Sequence, residues 1–520
     1  MKKELDKKRN IVLYGAGLKA HSVYRALIIS GYTIVYCVIT DNSIKESEYE
    51  EIKVYPFADK KEEIIEKQYQ IVIAVVPRYE AEIIEIIEDN GISEYWKPSQ
   101  MPWSVDFEMY RNLDADGYME VIKEKYYSDT EKYRKDKAVR DYIEENVKRT
   151  VNNKKITFLL LAFEPRSYKI IDALHRKGYF TEVIVWGNAV YVTEEKYHEY
   201  SEIADECRLC IDVKEVMLYC ASTDSKILHI FSEQSSNIEL PQVLINCKSI
   251  FPKTIFDEYD VVAEMYRFAS QKLIDAELFC FEHTDGICSR YRCMEYLEEK
   301  GYSICQNRIY FIDCCNDFIG YESPQRREEE ELHLVHVGTV LTDKAYETSR
   351  VARLLEFGLQ CRENRVHLHI YPTSYDAAKL HKYIEMERMN PYFHLHHTVS
   401  MRVLAQEISK YDFGILNTCS DFLEYADREG TSTKEKHMFA EANRMYDFLD
   451  SGLPVVAAHP VEQVKMFEED GVLIRKTDEE IDFDELRQKR NQMKKRVVQI
   501  RDKYRISNQL PVLIEFYDSL

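Results

Sequence analysis

The segment that most constrains the fold is residues 443–456, which read NRMYDFLDSGLPVV. Met445 and Phe448 stand three residues apart, as the apolar positions of a helix face do. Gly452 occupies the position after a helix end where a positive φ angle is favoured, and Pro454 prevents the helix from continuing. The apolar residues that follow have the length of a short buried strand. The segment therefore predicts a capped helix leading into a strand, a repeating unit of parallel α/β sheets.

The polar positions of the same predicted helix indicate a binding role. Asn443 and Asp447 are one helical turn apart, so their side chains project together. The segment resembles the donor-site pattern N-K-L-F-E-Y-L-A-A-G-K-P-V-V of the family 4-like GT-B glycosyltransferases, in which a carboxylate on this helix holds the ribose of a nucleotide sugar. The resemblance implies that Asp447 binds the ribose, and that Asn443 and Arg444 contact the diphosphate or the sugar. A capped helix before a strand also occurs throughout doubly wound α/β domains, so generic packing is the alternative.

Two residues depart from the family pattern. Asp447 stands where the family has Glu, which places the carboxylate one methylene closer to the backbone. Arg444 stands where the family has Lys, which keeps the positive charge but replaces a point charge by a planar guanidinium. The charges expected of a donor site are therefore present, with altered geometry.

Length and composition indicate a globular protein of several domains. The chain has 520 residues, of which 45% are apolar and 31% charged, and this ordinary composition at this length predicts about three domains. The net charge of −21 disfavours a nucleic-acid backbone as the main partner, because phosphate binding needs concentrated positive charge. We therefore expect no nucleic-acid partner.

Cysteine use and the terminal sequence indicate a cytoplasmic protein. The 13 cysteines are scattered without the framework of a small disulfide-bonded domain, and the opening residues are mostly charged. No apolar run approaches the length of a membrane span. Cys207 and Cys210 form a single pair without a second pair at zinc spacing. We expect reduced thiols and no metal site.

Residues 10–20 predict a strand, a glycine turn and the start of a helix. Gly15, Gly17 and Ala20 match the spacing G-x-G-x-x-A, which allows close backbone approach to a phosphate at a helix N-terminus. Asp41 follows the next predicted strand, where an acid would bind a ribose. The segment resembles the small N-terminal Rossmann-like domain of bacterial sugar acyltransferases, which implies a nucleotide sugar rather than NAD at this turn. A purely structural glycine turn is the alternative.

Alternating strand and helix patterns divide the chain into four segments. We predict a Rossmann-like accessory domain at residues 1–98, a charged helical connector at 99–154, an acceptor-binding half at 155–330 and a donor-binding half at 331–520. The predicted fold class is α/β, with an N-terminal Rossmann-like domain followed by the pair of Rossmann-like domains that the GT-B resemblance implies. That resemblance also implies a C-terminal helix crossing back between the two halves.

His229 is the candidate catalytic residue of the predicted acceptor half. Residues 227–230 resemble the strand end D-I-V-H of GT-B transferases, and residues 284–289 resemble their A-D-G-I-I-x-x-S segment. A titratable ring at the carboxyl end of a strand would face the crevice in which doubly wound proteins bind ligands. A histidine buried in the sheet core is the alternative. Asp257, Asp260 and Glu264 follow another strand-like run and are further candidates for acceptor-side carboxylates.

The predicted donor half opens with a strand pattern that ends in Gly338 and Thr339. The resemblance implies that this turn offers backbone donors to the leaving phosphate, and that Lys344, the nearest basic residue, adds positive charge. Further along, His367 and His369 alternate on one face of a predicted strand. Metal binding would need further ligands at the same point, so we interpret this pair as strand packing.

A predicted C-terminal helix, from about residue 483 to 504, concentrates positive charge on an acidic chain. Its basic residues are Arg487, Lys489, Arg490, Lys494, Lys495, Arg496, Arg501 and Lys503. Basic amphipathic helices bind anionic lipid headgroups, so one interpretation is a peripheral membrane contact that would suit a lipid-linked acceptor. The other interpretation, which we favour, is a solvated helix face.

The combined interpretation is glycosyl transfer from a nucleotide sugar to a glycan, lipid-linked or protein acceptor. The resemblance places this activity in the synthesis of bacterial surface glycans or glycoproteins, and implies that no metal or other cofactor is required. Two alternatives stay open. One is an NAD-dependent sugar-modifying enzyme that uses the turn at Gly15, and the other is a glycosyltransferase-like subunit that binds a nucleotide sugar without turnover.

Overall fold

The computed structural model shows an α/β protein with three sheets built mainly from parallel strands. It describes residues 5–16, 20, 23–24, 27–28, 31–40, 47–49, 52–75, 77–97, 107–110, 112–145, 151–190, 194–210, 212–235, 237–267, 269–338, 340, 354–373, 380–399, 401–416, 432–458 and 462–520. Helices alternate with strands along each sheet, which is the pattern of Rossmann-like units. The predicted fold class, α/β with three Rossmann-like sheets, is confirmed.

The first sheet has six strands, and its central strands are fully buried. The strands are β1 (Ile11–Tyr14), β2 (Ile34–Ile39), β3 (Ser47–Tyr49), β4 (Ile52–Pro56), β5 (Gln70–Ile73) and β6 (Tyr95–Trp96), with helices α1 (Phe57–Glu66) and α2 (Pro77–Asp89). Their order is β3-β4-β2-β1-β5-β6, and β3 alone among these strands pairs antiparallel. Every residue of β1 and β5 is buried, as expected of parallel strands covered on both faces.

Three helices follow the first sheet where the charged connector is predicted. They are α3 (Ala115–Ser128), α4 (Thr130–Tyr133) and α5 (Lys137–Ile143). Each begins after an aspartate whose side chain accepts a backbone N–H of the first turn: Asp114, Asp129 and Asp136. These caps satisfy amide groups that a helix N-terminus otherwise leaves without partners, which explains how such polar sequence forms helices.

The second sheet has seven strands in the middle of the chain. Its strands are β7 (Asn152–Ala162), β8 (Phe180–Val190), β9 (Glu206–Cys210), β10 (Ser225–Ser232), β11 (Lys253–Glu258), β12 (Gly286–Ser289) and β13 (Arg308–Tyr310). The helices among them are α6 (Pro165–Arg176), α7 (Glu194–Ile203), α8 (Val213–Ser222), α9 (Glu239–Asn246), α10 (Gln271–His283) and α11 (Met294–Glu299). The strand order is β13-β12-β11-β10-β7-β8-β9.

The third sheet has six parallel strands and carries the predicted donor segment. Its strands are β14 (Leu332–Gly338), β15 (Val366–Pro372), β16 (Phe393–Leu395), β17 (Phe413–Leu416), β18 (Val455–Ala457) and β19 (Leu473–Arg475). The helices are α12 (Leu354–Glu363), α13 (His381–Met389), α14 (Met401–Ile408), α15 (Lys434–Phe439), α16 (Arg444–Asp450), α17 (Glu462–Glu469), α18 (Phe483–Ile500) and α19 (Ile506–Ser519).

The order of the third sheet places a topological switch point at β14. The order is β16-β15-β14-β17-β18-β19, so the chain builds outward on one side of β14 and then returns to build on its other side. Loops at the carboxyl ends of the strands diverge at such a point and leave a crevice, which is where doubly wound sheets bind ligands. The carboxyl end of β14 is therefore the expected ligand position of this sheet.

The chain forms two compact units whose boundaries differ from the four predicted segments. One unit comprises Met1–Glu164 and Gly178–Ile255, and the other comprises Pro165–Lys177 and Phe256–Leu520. The division runs through β11, and α6 belongs to the second unit. The predicted boundaries at residues 98, 154 and 330 stay predictions.

Residues 443–456 fold as predicted. Helix α16 ends at Asp450 with Ser451 as its C-cap residue, and Gly452 follows with a φ angle of +76° before β18 begins. The N–H of Leu453 donates to the carbonyl oxygen of Phe448 at 2.9 Å, which closes the helix end. A methyl group added to Gly452 would lie 2.6 Å from the carbonyl oxygen of Tyr321, so both the φ angle and the close approach require glycine.

The C-terminal helix α18 buries part of its basic surface. Arg490 and Lys494 have exposed fractions of 0% and 1%. Nζ of Lys494 donates to Asp412 at 2.5 Å and to the carbonyl oxygen of Pro324 at 2.8 Å. Arg501, just after α18, is also buried and donates to the carbonyl oxygen of Gly320 at 3.0 Å. The basic residues are therefore not one continuous exposed stripe, and the membrane contact stays a prediction.

Candidate functional site

Gly338 and Arg444 meet at the carboxyl end of β14. Gly338 is buried with a φ angle of +124°, and a methyl group added to it would overlap the guanidinium of Arg444. The arginine side chain therefore lies directly against a backbone turn that only glycine leaves open. Burial lowers the pKa of Arg444, and the nearby Asp447 and Tyr259 oppose that effect. Because arginine stays protonated in proteins, the turn carries a largely buried cation at the switch point.

Asn443 and Asp447 accompany Arg444 at the start of α16. The Oδ1 atom of Asn443 is buried and has no hydrogen-bond partner among the described residues. A buried acceptor without a partner costs about 1–3 kcal/mol, so it marks a position where a ligand donor would add stability. Burial raises the pKa of Asp447, while the cations Lys169 and Arg444 lower it. Amide, guanidinium and carboxylate thus stand within about one helical turn.

Lys169 of α6 supplies a second buried cation beside this helix. Burial opposes its charge, but the carboxylates of Asp447, Asp450 and Asp313 outweigh that effect and raise its pKa. Burial raises the pKa of Asp450 to about 6, against the lowering effects of Lys169 and of hydrogen bonds from Asn316 at 2.8 and 3.1 Å. The Oδ1 atom of Asp450 has no partner among the described residues.

Two buried arginines share Asp313 just after β13. Nε of Arg166 lies 3.1 Å from an oxygen of Asp257, and its Nη1 lies 3.4 Å from Asp313. Nη1 of Arg290 lies 2.7 Å from the other oxygen of Asp313, and its Nη2 lies 3.1 Å from Asp260. Exposed fractions of the five residues run from 0% to 8%. Charges buried this deeply persist only when paired, so the network holds its side chains in fixed positions.

Lys436 of α15 joins the same network. Its ammonium lies 3.4 Å from Asp260 and contacts the hydroxyl of Tyr266, which itself donates to Asp260 at 2.8 Å. Thr433 caps α15 with its side chain, and its N–H donates to the carbonyl oxygen of Met265 at 3.0 Å. These contacts fasten the start of α15 to the segment that follows β11.

Glu441 lies between α15 and α16 and is 6% exposed. Its Oε2 atom makes no hydrogen bond to any residue that the structure describes. Burial and the neighbouring Asp313 raise its pKa to about 8, although Arg290 and Arg292 act in the opposite direction. Glu441 therefore holds a proton at neutral pH, unlike an ordinary surface glutamate.

Sequence reasoning missed most of the buried charges around this site. The missed residues are Arg166, Lys169, Arg290, Asp313, Lys436 and Glu441. Their positions along the chain could have identified two of them. Arg290 directly follows β12 and Asp313 comes shortly after β13, at the sheet edge where ligands bind. Two of the three predicted acceptor-side acids, Asp257 and Asp260, are paired with arginines in the structure, whereas Glu264 accepts a hydrogen bond from the hydroxyl of Tyr302 at 2.7 Å.

The other predicted binding residues are only partly covered by the structure. Four lie outside the described residues: Gly17, Asp41, Thr339 and Lys344. Gly15 has a φ angle of +132°, and a methyl group added to it would lie 2.6 Å from the carbonyl oxygen of Ala74. Ala20 is fully buried in the core of the first sheet. Close packing against Ala74 thus explains the glycine at this turn. Nucleotide binding here stays a prediction.

His229 is fully buried within β10, as the fifth of its eight residues. Its ring stacks on Phe231 with centroids 4.3 Å apart and is tilted against Phe158 with centroids 5.8 Å apart. This aromatic setting favours the interpretation as a core histidine. A catalytic role for His229 stays a prediction.

Among the described residues, metal-ligand atoms do not gather in threes within either compact unit. Within each unit, the described His, Cys, Asp and Glu residues place no three such atoms within 4.8 Å of one another. The predicted metal independence stays a prediction. A helix with the length and apolar character needed to cross a membrane is likewise not found in the part of the chain that the structure describes.

Comparison with known proteins gives structural likeness without sequence similarity. No protein-family model matches the chain, and no curated protein matches it. A sucrose-phosphate synthase from Thermosynechococcus elongatus is similar over 70% of this chain and 98% of its own, with 10% identity and a TM-score of 0.48. WaaG, a glycosyltransferase involved in lipopolysaccharide biosynthesis, is similar over 70% and 99%, with 11% identity and a TM-score of 0.44. A UDP-GlcNAc 2-epimerase from Neisseria meningitidis is similar over 70% and 100%, with 9% identity and a TM-score of 0.40. At these values the likenesses carry no argument about activity.

Proposed function

We propose that this chain transfers a sugar from a nucleotide-sugar donor to a glycan, lipid-linked or protein acceptor. The observation that carries the proposal is the meeting of Arg444 with Gly338 at the switch point of the third sheet. The same helix bears Asn443 and Asp447, in the segment that resembles the donor site of family 4-like GT-B glycosyltransferases. A ligand position set by sheet topology and a binding segment read from sequence therefore coincide.

The side chains at this point match the chemistry of a nucleotide sugar. A planar guanidinium forms paired hydrogen bonds with phosphate oxygens, so Arg444 would bind the diphosphate beside the open turn at Gly338. A carboxylate accepts hydrogen bonds from vicinal hydroxyls, so Asp447 would hold the ribose. The partnerless Oδ1 of Asn443 would accept a hydrogen bond from a sugar hydroxyl.

The same cations would assist the transfer step. The bond between the anomeric carbon and the diphosphate oxygen breaks, the acceptor oxygen forms the new glycosidic bond, and the proton of the acceptor hydroxyl passes to the leaving diphosphate or to solvent. Negative charge develops on the leaving diphosphate, where the fixed guanidinium of Arg444 stabilises it more in the transition state than in the bound donor. Lys169, which is buried and interacts electrostatically with Asp447, is a further cation near this helix.

The first experiment is thermal unfolding with UDP, GDP, CDP, ADP, their sugars and NAD(H). A ligand at a hundred times its dissociation constant stabilises the folded state by about 2.7 kcal/mol, which is readily measured. We expect one nucleotide and its sugar to stabilise the wild type, and both Arg444→Ala and Asp447→Ala to reduce affinity at least about tenfold. Matched controls are Arg475→Ala, at the exposed end of β19, and Glu468→Ala, on the exposed face of α17.

The outcomes separate the proposal from its two alternatives. Stabilisation by NAD(H) alone would support an NAD-dependent enzyme and contradict the donor site. Nucleotide-sugar binding that depends on Asp447, but without release of nucleoside diphosphate across glycan, lipid-linked and peptide acceptors, would support a subunit that binds without turnover. If the control variants weaken binding as much as Arg444→Ala does, the assigned site is wrong.

A further inference from the structure

Five histidines lie together on one face of the third sheet, and we call them the histidine ladder. Its members are His333 on β14, His367 and His369 on β15, His394 on β16 and His396 just beyond β16. The sequence showed the shared face of His367 and His369 but not the three rings from neighbouring strands. The parallel register places His333 beside His367 and His369 beside His394.

The ladder is held by hydrogen bonds between ring nitrogens. Nδ1 of His367 lies 2.8 Å from Nε2 of His394. Nδ1 of His369 lies 3.0 Å from Nε2 of His396, and the other ring nitrogen of His369 lies 3.0 Å from Nδ1 of His333. A hydrogen bond between two imidazoles requires one lone pair and one N–H, so each contact pairs an acceptor nitrogen with a donor nitrogen.

The ladder lies among charged groups of neighbouring elements. Burial and neighbouring histidines lower the pKa of His369 and of His394, and burial also contributes to lowering the pKa of His333 and His396 to about 4. Acidic groups that act on the ladder from neighbouring elements are Glu331, Glu387, Glu407 and Asp412, and basic groups are Arg326 and Lys410.

His367 and His394 form the outer pair of the ladder, and the carboxylate of Glu331 contacts His367 on the side away from His394. Nε2 of His367 lies 2.8 Å from a carboxylate oxygen of Glu331, whereas its Nδ1 faces His394. A carboxylate on the far nitrogen of a histidine fixes the ring orientation and makes the near nitrogen a stronger ligand. The side chain of His367 is 16% exposed and that of Glu331 is 54% exposed, so this end of the ladder reaches the protein surface.

We propose that the histidine ladder binds a divalent transition-metal ion, of the zinc and nickel class, through Nδ1 of His367 and Nε2 of His394. Imidazole nitrogen is a preferred ligand for both metals. Two nitrogens bound to tetrahedral zinc at about 2.05 Å are about 3.3 Å apart, so the 2.8 Å pair has to open by only about 0.5 Å. The carboxylate of Glu331 accepts the N–H at Nε2 of His367, so the proton between the two rings belongs to Nε2 of His394. When the ion enters, this proton passes to solvent and Nδ1 of His394 takes up another in its place, so both rings stay neutral, and water completes the coordination sphere.

The number of protein ligands distinguishes this site from a structural zinc site. Among the described residues, no three residues of the ladder bring ligand atoms within 4.8 Å of one another. The protein therefore offers two nitrogen ligands, and Glu331 contacts the second ring nitrogen of His367. Two imidazoles without a third protein ligand predict reversible binding from solution rather than a permanently held ion. The proposal concerns a different part of the sheet from the donor site and does not rest on it.

The test is equilibrium dialysis of the full chain against Zn²⁺ and, separately, Ni²⁺, with bound metal counted by elemental analysis. We expect about one ion per wild-type chain, a loss of at least about tenfold in affinity in His367→Gln and in His394→Gln, and a similar loss in Glu331→Gln. The matched control is His381→Gln, an exposed histidine on α13 whose ring lies 3.6 Å from the carboxylate of Glu385 but is not part of the ladder.

Thermal unfolding in the presence of Ni²⁺ keeps the test valid if a variant loses stability. The ion should raise the unfolding temperature of the wild type and of His381→Gln, and leave that of His367→Gln unchanged. The proposal is overturned if the wild type binds no ion at micromolar concentration, or if all variants bind equally, which would assign binding to cysteines or other groups. Loss of binding in His396→Gln but not in His394→Gln would also overturn it, because the ion would then lie between His369 and His396.

Discussion

At the scale of single residues, Gly338 is the position where the donor site is most sensitive to a small change. Gly338→Ala introduces a methyl group into the space of the Arg444 guanidinium, at a φ angle of +124°. We expect the strained φ angle to lower the free energy of unfolding by about 1–3 kcal/mol. We also expect nucleotide-sugar affinity to fall by a larger fraction, because Arg444 has to move. Urea unfolding and donor titration measure the two effects separately.

The matched control for this variant is Gly301→Ala. Gly301 also has a positive φ angle, +93°, but a methyl group there meets no atom within 4 Å. This variant should therefore show the cost of the φ angle without a change in nucleotide-sugar affinity. If Gly338→Ala binds the donor as the wild type does, Arg444 does not need its present position and the site assignment fails.

Glu441 gives the pH dependence at the same scale. Its pKa is raised from 4.5 to about 8, so between these values the unfolded chain loses a proton that the folded chain keeps. Stability contributed by this residue therefore falls as the pH rises from about 4.5 to 8 and is constant above that. Glu441→Gln removes the titration. We expect it to raise the free energy of unfolding by a few kcal/mol at pH 8.5 and by little at pH 4.5.

Urea unfolding of wild type and Glu441→Gln at the two pH values measures this difference. Glu468→Gln, on the exposed face of α17, controls for the loss of one carboxyl group. An equal effect of Glu441→Gln at both pH values would show that the residue is not protonated in the folded state. A loss of turnover in a stabilised Glu441→Gln variant would instead indicate that the buried acid is retained for function.

The residues that the sequence could identify are those whose neighbours are close along the chain. Asn443, Arg444 and Asp447 lie within one turn of a helix, and a local motif is enough to place them together. Arg166 and Asp313 are 147 residues apart, and their pairing depends on strand order. A single sequence carries the strand pattern but not the order of the strands, so the charged network behind the donor helix could not be predicted.

At the scale of elements, the attachment of α18 depends on one buried carboxylate. Asp412 lies at 2.5 Å from Lys494, 3.3 Å from Arg326 and 3.5 Å from Arg490, and it also accepts the N–H of His333 at 2.9 Å. Removing one partner of a buried ion pair leaves an uncompensated charge in low dielectric. We expect Asp412→Asn to lower the free energy of unfolding by about 3–5 kcal/mol in urea unfolding.

An exposed pair on the same helix is the control for this prediction. Asp484 lies 2.6 Å from Arg487 in the first turn of α18, and its side chain is 82% exposed. Exposed ion pairs contribute about 0–1 kcal/mol, so Asp484→Asn should have a small effect. Equal losses in the two variants would mean that water or relaxation compensates the charges around Asp412.

The difference between buried and exposed ion pairs on α18 could not be predicted from the sequence. Charge periodicity predicted a basic helix, and the helix is present with bounds close to the prediction. Which charges are buried depends on partners far along the chain, such as Asp412 for Lys494. The ladder histidines show the same limit, since alternation along β15 gives a shared face but only strand order brings in His394.

At the scale of the whole molecule, the division into two units departs from the order of the chain. Helix α6 follows a strand of the first unit but belongs to the second. Two basic residues of α6 explain this membership. Arg166 pairs with Asp257 and Asp313, and Asp447 raises the pKa of Lys169. All three acids lie in the second unit. Sequence periodicity finds a helix but does not state which core it joins, so the boundary near residue 154 could not anticipate the division.

Net charge favours the solvated face over the membrane contact among the two interpretations of the basic C-terminal helix. The chain carries a net charge of −21, and an anionic membrane surface repels such a molecule unless a local basic face outweighs it. Arg490, Lys494 and Arg501 are buried, which removes three of the eight cations that would form that face. Each remaining surface cation contributes only about 1 kcal/mol near an anionic bilayer, and several of them are paired within the protein.

We therefore expect no co-sedimentation with vesicles of phosphatidylserine and phosphatidylcholine at 0.15 M salt, where the screening length is about 8 Å. Lowering the salt concentration should strengthen the repulsion between like charges rather than produce binding. The contrary result would be sedimentation that disappears in Lys495→Glu combined with Arg496→Glu, two exposed positions of α18. That result would show that a few exposed cations overcome the charge of the whole molecule, and would favour a lipid-linked acceptor over a soluble one.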